Sequence, residues 1–263
     1  MSSQRKSISI ITGATSGIGY ELAKIHASKG FNLLLVSRNE SELQKIQYNF
    51  QQQFKVEIHF LALDLSRLNA AQTVFGFVEN QGWQVDYLFN NAGFGGLGEF
   101  LSRATQDDQE MNLLNMLAVH ELMHLFLPQM VERKRGFILN TASTAGFMPG
   151  PNQANYFATK AYVVSLTEAV AHEYLNSGVT ISALCPGPVK TKFGERAGMS
   201  HLNVFEKAVS AEWIAKKAYH SLHRGKTIII PEFTFRFLIR FILPFLPRTL
   251  LLRTIKGLQK VRR

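Results

Sequence analysis

The chain of 263 residues has little cysteine, little acidic charge and no long uninterrupted hydrophobic run. One cysteine, Cys185, excludes an internal disulfide framework and leaves no CxxC or Cys/His cluster for a structural zinc, so no metal site is expected. The apolar run ISII at residues 8–11 breaks at once into a glycine loop, so MSSQRKSISII lacks the core of a signal peptide. Secretion is not expected, and a cytoplasmic location is. No Ser/Gly/Pro-rich linker, charge block, repeat or low-complexity stretch divides residues 1–231, which read as one domain followed by a tail of residues 232–263. The shortage of acid leaves a net charge of +10, but ten Lys/Arg lie between Arg224 and Arg263 against a single acid, Glu232. An excess confined to the tail, with no recognisable nucleic-acid motif, argues against nucleic-acid binding.

What the chain does have is apolar runs alternating with helix-length segments. Residues 7–12, 31–37, 56–63, 85–90, 136–141, 179–185 and 226–230 are expected strands, and their continuous apolar character suits strands covered on both faces. Asn39 with Glu42 three residues on predicts a helix start. Strand and helix in repeated alternation predict an α/β fold, a Rossmann-like doubly wound parallel sheet of about seven strands flanked by helices.

The first strand runs into TGATSGIG, which places Gly13, Thr15, Ser16, Gly17, Ile18 and Gly19 at the strand-to-helix turn. Glycines there allow a tight turn and close approach of a pyrophosphate, whose charge meets the free N–H groups of the helix N-terminus. A dinucleotide cradle is expected. The second strand ends in VSRNE with no acid to bind a ribose 2′-hydroxyl, whereas Arg38 can pair with a 2′-phosphate. NADP(H) is therefore expected ahead of NAD(H).

Five motifs in order, TGATSGIG, NNAG at 90–93, ILNTAST at 138–144, YFATK at 156–160 and CPGPVKT at 185–191, resemble the classical short-chain dehydrogenase/reductases over residues 7–230. Within that family the chain is similar to bacterial members with a basic apolar tail. The resemblance implies Tyr156 as the catalytic acid/base, Lys160 as its activator and a ribose ligand, and Ser143 as the hydroxyl that orients the carbonyl. It assigns Asn115 to support of a proton relay, although Asn112 stands close by in the same helix. Asn91, Ala92 and Gly93 would line the cofactor, Asp64 and Leu65 would meet the adenine edge, and Pro186, Gly187, Val189 and Thr191 would flank the nicotinamide. The family also implies a homodimer or homotetramer.

The chemistry supports these roles independently. Hydride transfer to a carbonyl develops alkoxide charge that needs a proton donor and a fixed hydrogen bond. A tyrosine titrates near about 10, and a lysine ammonium four residues along the helix is expected to lower that value. His120 and His124, four residues apart, carry no metalloprotease pattern and read as a helix surface or subunit contact, and Cys185 reads as a small buried residue.

The tail repeats Phe233, Phe237, Phe241 and Phe245 at four-residue spacing, with Arg236 and Arg240 beside them and Pro244 and Pro247 as breaks. Two readings stand. It is a lid or oligomer-packing segment over the substrate pocket, or an amphipathic anchor giving peripheral contact with an anionic membrane surface. The expected function is NADP(H)-dependent hydride transfer with an apolar carbonyl or secondary alcohol, of ketone, aldehyde or 3-oxoacyl type. The alternative is an NADP(H)-sensing binding protein with little turnover.

Overall fold

The computed structural model describes residues 5–199 and 208–259. The start of the N-terminal reading and the tail cations Lys260, Arg262 and Arg263 lie outside the described residues. Six strands come first: β1 (Lys6–Thr12), β2 (Leu33–Ser37), β3 (Ile58–Ala62), β4 (Trp83–Asn90), β5 (Gly136–Thr141) and β6 (Val179–Leu184). A short ribbon of β7 (Val189–Lys190) and β8 (Val209–Ser210) follows, and then β9 (Ile228–Ile229). The seven-stranded sheet is parallel throughout, in the order β3-β2-β1-β4-β5-β6-β9. All seven expected strands are present. The last is the most shortened, to two residues paired with Ala183 and Leu184 of β6.

Strand alternation sorts the apolar residues into two cores. Ile8, Ile10, Leu34 and Val36 face one side, under α3 (Ala70–Asn80), α5 (Ala118–Glu132) and the inner edge of α6 (Ala154–Glu173). Ile11, Leu33 and Leu35 face the other, under α1 (Gly17–Ser28), α2 (Glu40–Gln53) and α8 (Ala211–Leu222). Asn39 caps α2 as expected, its Oδ1 accepting from the Glu42 N–H at 3.1 Å, and Ser210 Oγ does the same for Trp213 at the start of α8 at 3.2 Å.

Sheet order reverses direction between β1 and β4, and this topological switch opens a crevice at the carboxyl ends of the strands. Thr12 joins the two strand ends there. Its Oγ1 accepts from the N–H groups of Asn91 and Ala92 at 2.9 Å each, while Asn91 Nδ2 donates back to the Thr12 carbonyl at 3.2 Å. The stretch that begins with α4 (Thr105–Asn112) passes through a π-helical turn over Leu113–Leu117 before continuing as α5. Beyond β9 the chain forms α9 (Phe233–Phe237), turns through Leu238–Phe245, and ends the described structure with α10 (Arg248–Leu258).

Candidate active site

A cavity of about 950 Å³ fills the crevice. At one end the β1–α1 turn supplies Gly13, Thr15, Ser16, Gly17 and Ile18, with Ser37, Arg38, Asp64 and Leu65 beside them. Gly13 (φ +66°) and Gly17 (φ +58°) hold left-handed backbone that a side chain would strain, and a Cβ on Gly17 would stand 2.8 Å from the Thr191 methyl. Ser16 caps α1 in extended conformation without using its side chain, so the first N–H groups of the helix stay available to an anion. Gly19 is packed closely against this turn, since a Cβ there would meet Asn91 Nδ2 and the Gly13 carbonyl.

Arg38 is exposed at the mouth of this end. Asp64 Oδ1 accepts from the Ser66 hydroxyl at 2.7 Å and its N–H at 3.0 Å. Burial opposes ionisation of Asp64, but the Ser66 bonds together with the Arg38 and Arg67 charges bring its carboxyl below the ordinary range. A turn with free N–H groups, an arginine at the mouth and an ionised acid fit a dinucleotide laid across the switch point.

At the other end stand Ser143, Tyr156 and Lys160. Tyr156 and Lys160 are both buried on α6, with Lys160 Nζ 5.9 Å from the Tyr156 ring centre and donating to the Thr141 carbonyl at 2.8 Å. Ser143 begins the 3-10 turn Thr144–Phe147 after β5. Its Oγ accepts from the Ala145 N–H at 3.1 Å and donates to the Pro186 carbonyl at 3.4 Å. Asn115 sits in the π-helical turn, fully buried, donating through Nδ2 to the Phe94 carbonyl at 2.9 Å and Thr159 Oγ1 at 3.1 Å, while Oδ1 accepts the Phe94 N–H at 3.1 Å. It ties the loop after NNAG to the tyrosine helix. Asn112, on the last turn of α4, does not line the cavity.

One expectation is corrected. Burial pushes the Tyr156 phenol up to about 12 rather than down, with the Ser143 hydroxyl acting in the opposite sense. Burial likewise brings Lys160 down to about 8. The ammonium is engaged with Thr141 and its charge does not offset the loss of water around the phenol.

The structure brings Gly13, Thr15, Ser16, Gly17, Ile18, Arg38, Asp64, Leu65, Asn91, Ala92, Gly93, Ser143, Tyr156, Lys160, Pro186, Gly187, Val189 and Thr191 into one cavity wall. Gly19 and Asn115 act from behind it. His120 and His124 lie exposed on α5, Tyr162 Oη standing 3.3 Å from His120 Nδ1. Cys185 is buried, and burial raises its thiol out of reach of ionisation. Sequence reasoning named no individual residue for much of the lining, including Met148, Gln153, Phe157 and Phe193, and it read the tail as a lid without singling out Glu232, Phe235, Leu238, Ile255, Leu258 or Gln259 as lining. No motif marks them, because they enter the site only through long-range packing.

A parallel switch-point sheet with a glycine turn at one end and a serine, tyrosine and lysine at the other defines a nicotinamide-dependent oxidoreductase. The chain belongs to the short-chain dehydrogenase family, whose model matches residues 7–200. It is 29% identical over 261 residues to the very-long-chain 3-oxoacyl-CoA reductase of Rattus norvegicus, covering 95% of this chain and 79% of the rat protein. It is 31% identical over 192 residues to the Mus musculus counterpart, covering 71% of this chain and only 60% of the mouse protein. Among solved structures it is similar to a short-chain dehydrogenase from Sphingobium yanoikuyae in complex with NADPH (TM-score 0.80, 28% identity, 87% of this chain and 88% of the other). It is also similar to a short-chain dehydrogenase/reductase from Burkholderia phymatum in complex with NAD (TM-score 0.80, 26% identity, 91% and 94%). The protein is an oxidoreductase of this family that uses a nicotinamide cofactor.

Proposed function

We propose that the protein is an NADPH-dependent reductase of an apolar ketone, aldehyde or 3-oxoacyl compound, with Tyr156 as proton donor. The observation that supports this most directly is the meeting of Ser143, Tyr156 and Lys160 with an apolar wall of Phe94, Met148, Phe157 and Phe193 in the cavity that also contains the glycine turn. The cofactor supplies the hydride. Ser143 and Tyr156 hold the carbonyl oxygen, and the phenol, kept protonated by its burial, gives its proton to the oxygen as negative charge develops there. Lys160 places a cation close behind the phenol, and Asn115 fixes the π-helical turn and the Phe94 loop that frame the pocket. Arg38, exposed beside the turn with no acid closing β2, favours the 2′-phosphate of NADP(H).

A 3-oxoacyl thioester is a reasonable first substrate because the rat relative is named for that reaction and the pocket is apolar. The working protein is assigned to the cytoplasm, as a homodimer or homotetramer, with its tail in peripheral contact with an anionic membrane. A screen of aldehydes, diketones, steroids and 3-oxoacyl thioesters for NADPH oxidation tests the assignment. Turnover of at least one class that is absent in Tyr156→Phe is the expected result. Uniform silence, with NADPH tightly bound, would move the protein to the cofactor-sensing reading.

A further inference from the structure

Two acids line the cavity, and they stand in different surroundings. Asp64 is at the Arg38 end and is satisfied by Ser66. Glu232, the first residue of the tail, is at the end where the reacting ring must lie if hydride is to reach a carbonyl held by Ser143 and Tyr156. Its Oε1 accepts the Gly187 N–H at 3.0 Å. The neighbouring Pro186 carbonyl accepts in turn from the Thr144 N–H at 3.0 Å and from Ser143 Oγ, so the carboxyl is two hydrogen bonds from the carbonyl-orienting hydroxyl. Phe235 packs so closely on Gly187 that a Cβ there would run into its ring, which fixes the start of the tail against this loop.

Oε2 of Glu232 is shielded and has no hydrogen-bond partner. Among the described residues no ion pair engages this carboxyl. Burial raises its pKa, opposed only by backbone hydrogen bonds from Gly187 and from its own N–H, with no cation contributing. A half-buried carboxylate that lacks a counter-charge inside its own chain is unfavourable unless a ligand supplies one. Lys160, beside Tyr156 at this end, would repel a positively charged ring, and of the two acids that line the cavity Glu232 is the one away from the Arg38 end.

We propose that Glu232 sets the preference between oxidised and reduced cofactor, by placing a negative charge at the end of the cavity where the oxidised nicotinamide ring is cationic and the reduced ring is neutral. The inference rests on the reading of this end as the nicotinamide site. With the cofactor bound, Glu232 would oppose the positive charge of the oxidised ring and so would favour carbonyl reduction.

The test is equilibrium binding, by calorimetry or fluorescence, of NADP+ and NADPH to the full chain and to Glu232→Gln and Glu232→Ala. Glu232→Gln keeps an acceptor for Gly187 and removes only the charge. It is expected to weaken NADP+ by roughly ten-fold while NADPH changes little, so that the ratio of the two Kd values moves. An unchanged ratio in Glu232→Gln overturns the proposal. So does a loss seen equally for both cofactors, or one confined to Glu232→Ala, since either would make the residue a fastener of the tail. If NAD+ and NADH bind in place of NADP(H), the NADP reading fails but the same ratio still decides the role of Glu232. Failure of the parent chain to bind any of the four overturns both.

Discussion

Tyr156 and Lys160 lie one helical turn apart, yet their titration is governed by burial more than by each other. Burial holds the phenol at about 12 and the lysine at about 8, so near neutrality the phenol keeps its proton and the amine is largely charged. That state suits proton donation to a carbonyl. Tyr156→Phe removes one hydroxyl from a packed ring, and turnover is expected to fall by roughly 10²-fold or more with NADPH affinity kept. Steady-state kinetics beside a binding titration check both halves. Arg38 acts through a single charge at the mouth of the cavity. Arg38→Ala is expected to weaken NADPH by roughly ten-fold while leaving NADH almost unchanged, and a parallel loss for both cofactors would remove Arg38 from 2′-phosphate recognition.

Helix α1 carries a buried histidine in its last turn, at the end away from the cofactor-binding turn. His26 is fully buried among the rings of Phe31, Tyr87, Phe89 and Tyr219. Its Nδ1 lies 3.2 Å from Ser9 Oγ, and Nε2 has no partner. Burial first, then the His223 and Lys29 charges, lower its pKa from 6.5 to about 3. The folded state therefore refuses a proton that the unfolded chain accepts below pH 6.5. Stability from this group is intact above that pH and is lost as pH falls toward 3, at up to about 1.4 kcal/mol per pH unit. Denaturant titrations of the parent and His26→Phe between pH 7 and 4 are expected to show a shallower pH dependence in the variant. Equal slopes would place the acid sensitivity elsewhere. The π-helical turn at Leu113–Leu117 is the other local irregularity, and it turns Asn115 so that both ends of its carboxamide are used.

At the scale of the molecule the tail does two things at once. Glu232, Phe235, Leu238, Ile255, Leu258 and Gln259 line the cavity, and the Asn152 carboxamide donates to the Gln259 carbonyl at 2.7 Å, holding the tail in place. The outer face is apolar and basic. Phe233 is 69% and Phe245 83% exposed, with Phe237, Phe241, Ile242 and Leu250 also open to solvent beside Arg236, Arg240, Arg248, Arg253 and Lys256. Among the described residues no helix is long and apolar enough to cross a membrane. An exposed face of aromatic and basic residues is the kind that binds anionic lipid surfaces. The full chain is expected to sediment with anionic vesicles at low salt and to be released by high salt, whereas Phe237→Ser/Phe241→Ser stays in the supernatant. Equal, salt-insensitive recovery of both in the supernatant would reject membrane contact.

The sequence by itself determined the order of strands and helices, the cradle and the spacing of Tyr156 and Lys160, because each depends on local periodicity, turn chemistry or a contiguous motif. It pointed equally to Arg38, since the residue that closes β2 is read directly. Only the tertiary structure decided the environment of those groups. Burial reversed the expected direction for Tyr156, the π-helical turn buried Asn115 between the Phe94 loop and Thr159, and packing of Glu232 and Phe235 against Gly187 turned Glu232 from one acid in a basic tail into a member of the cavity wall. These outcomes depend on what comes together across the fold. Desolvation and the approach of distant side chains are set by the three-dimensional assembly, and no short window of sequence contains them.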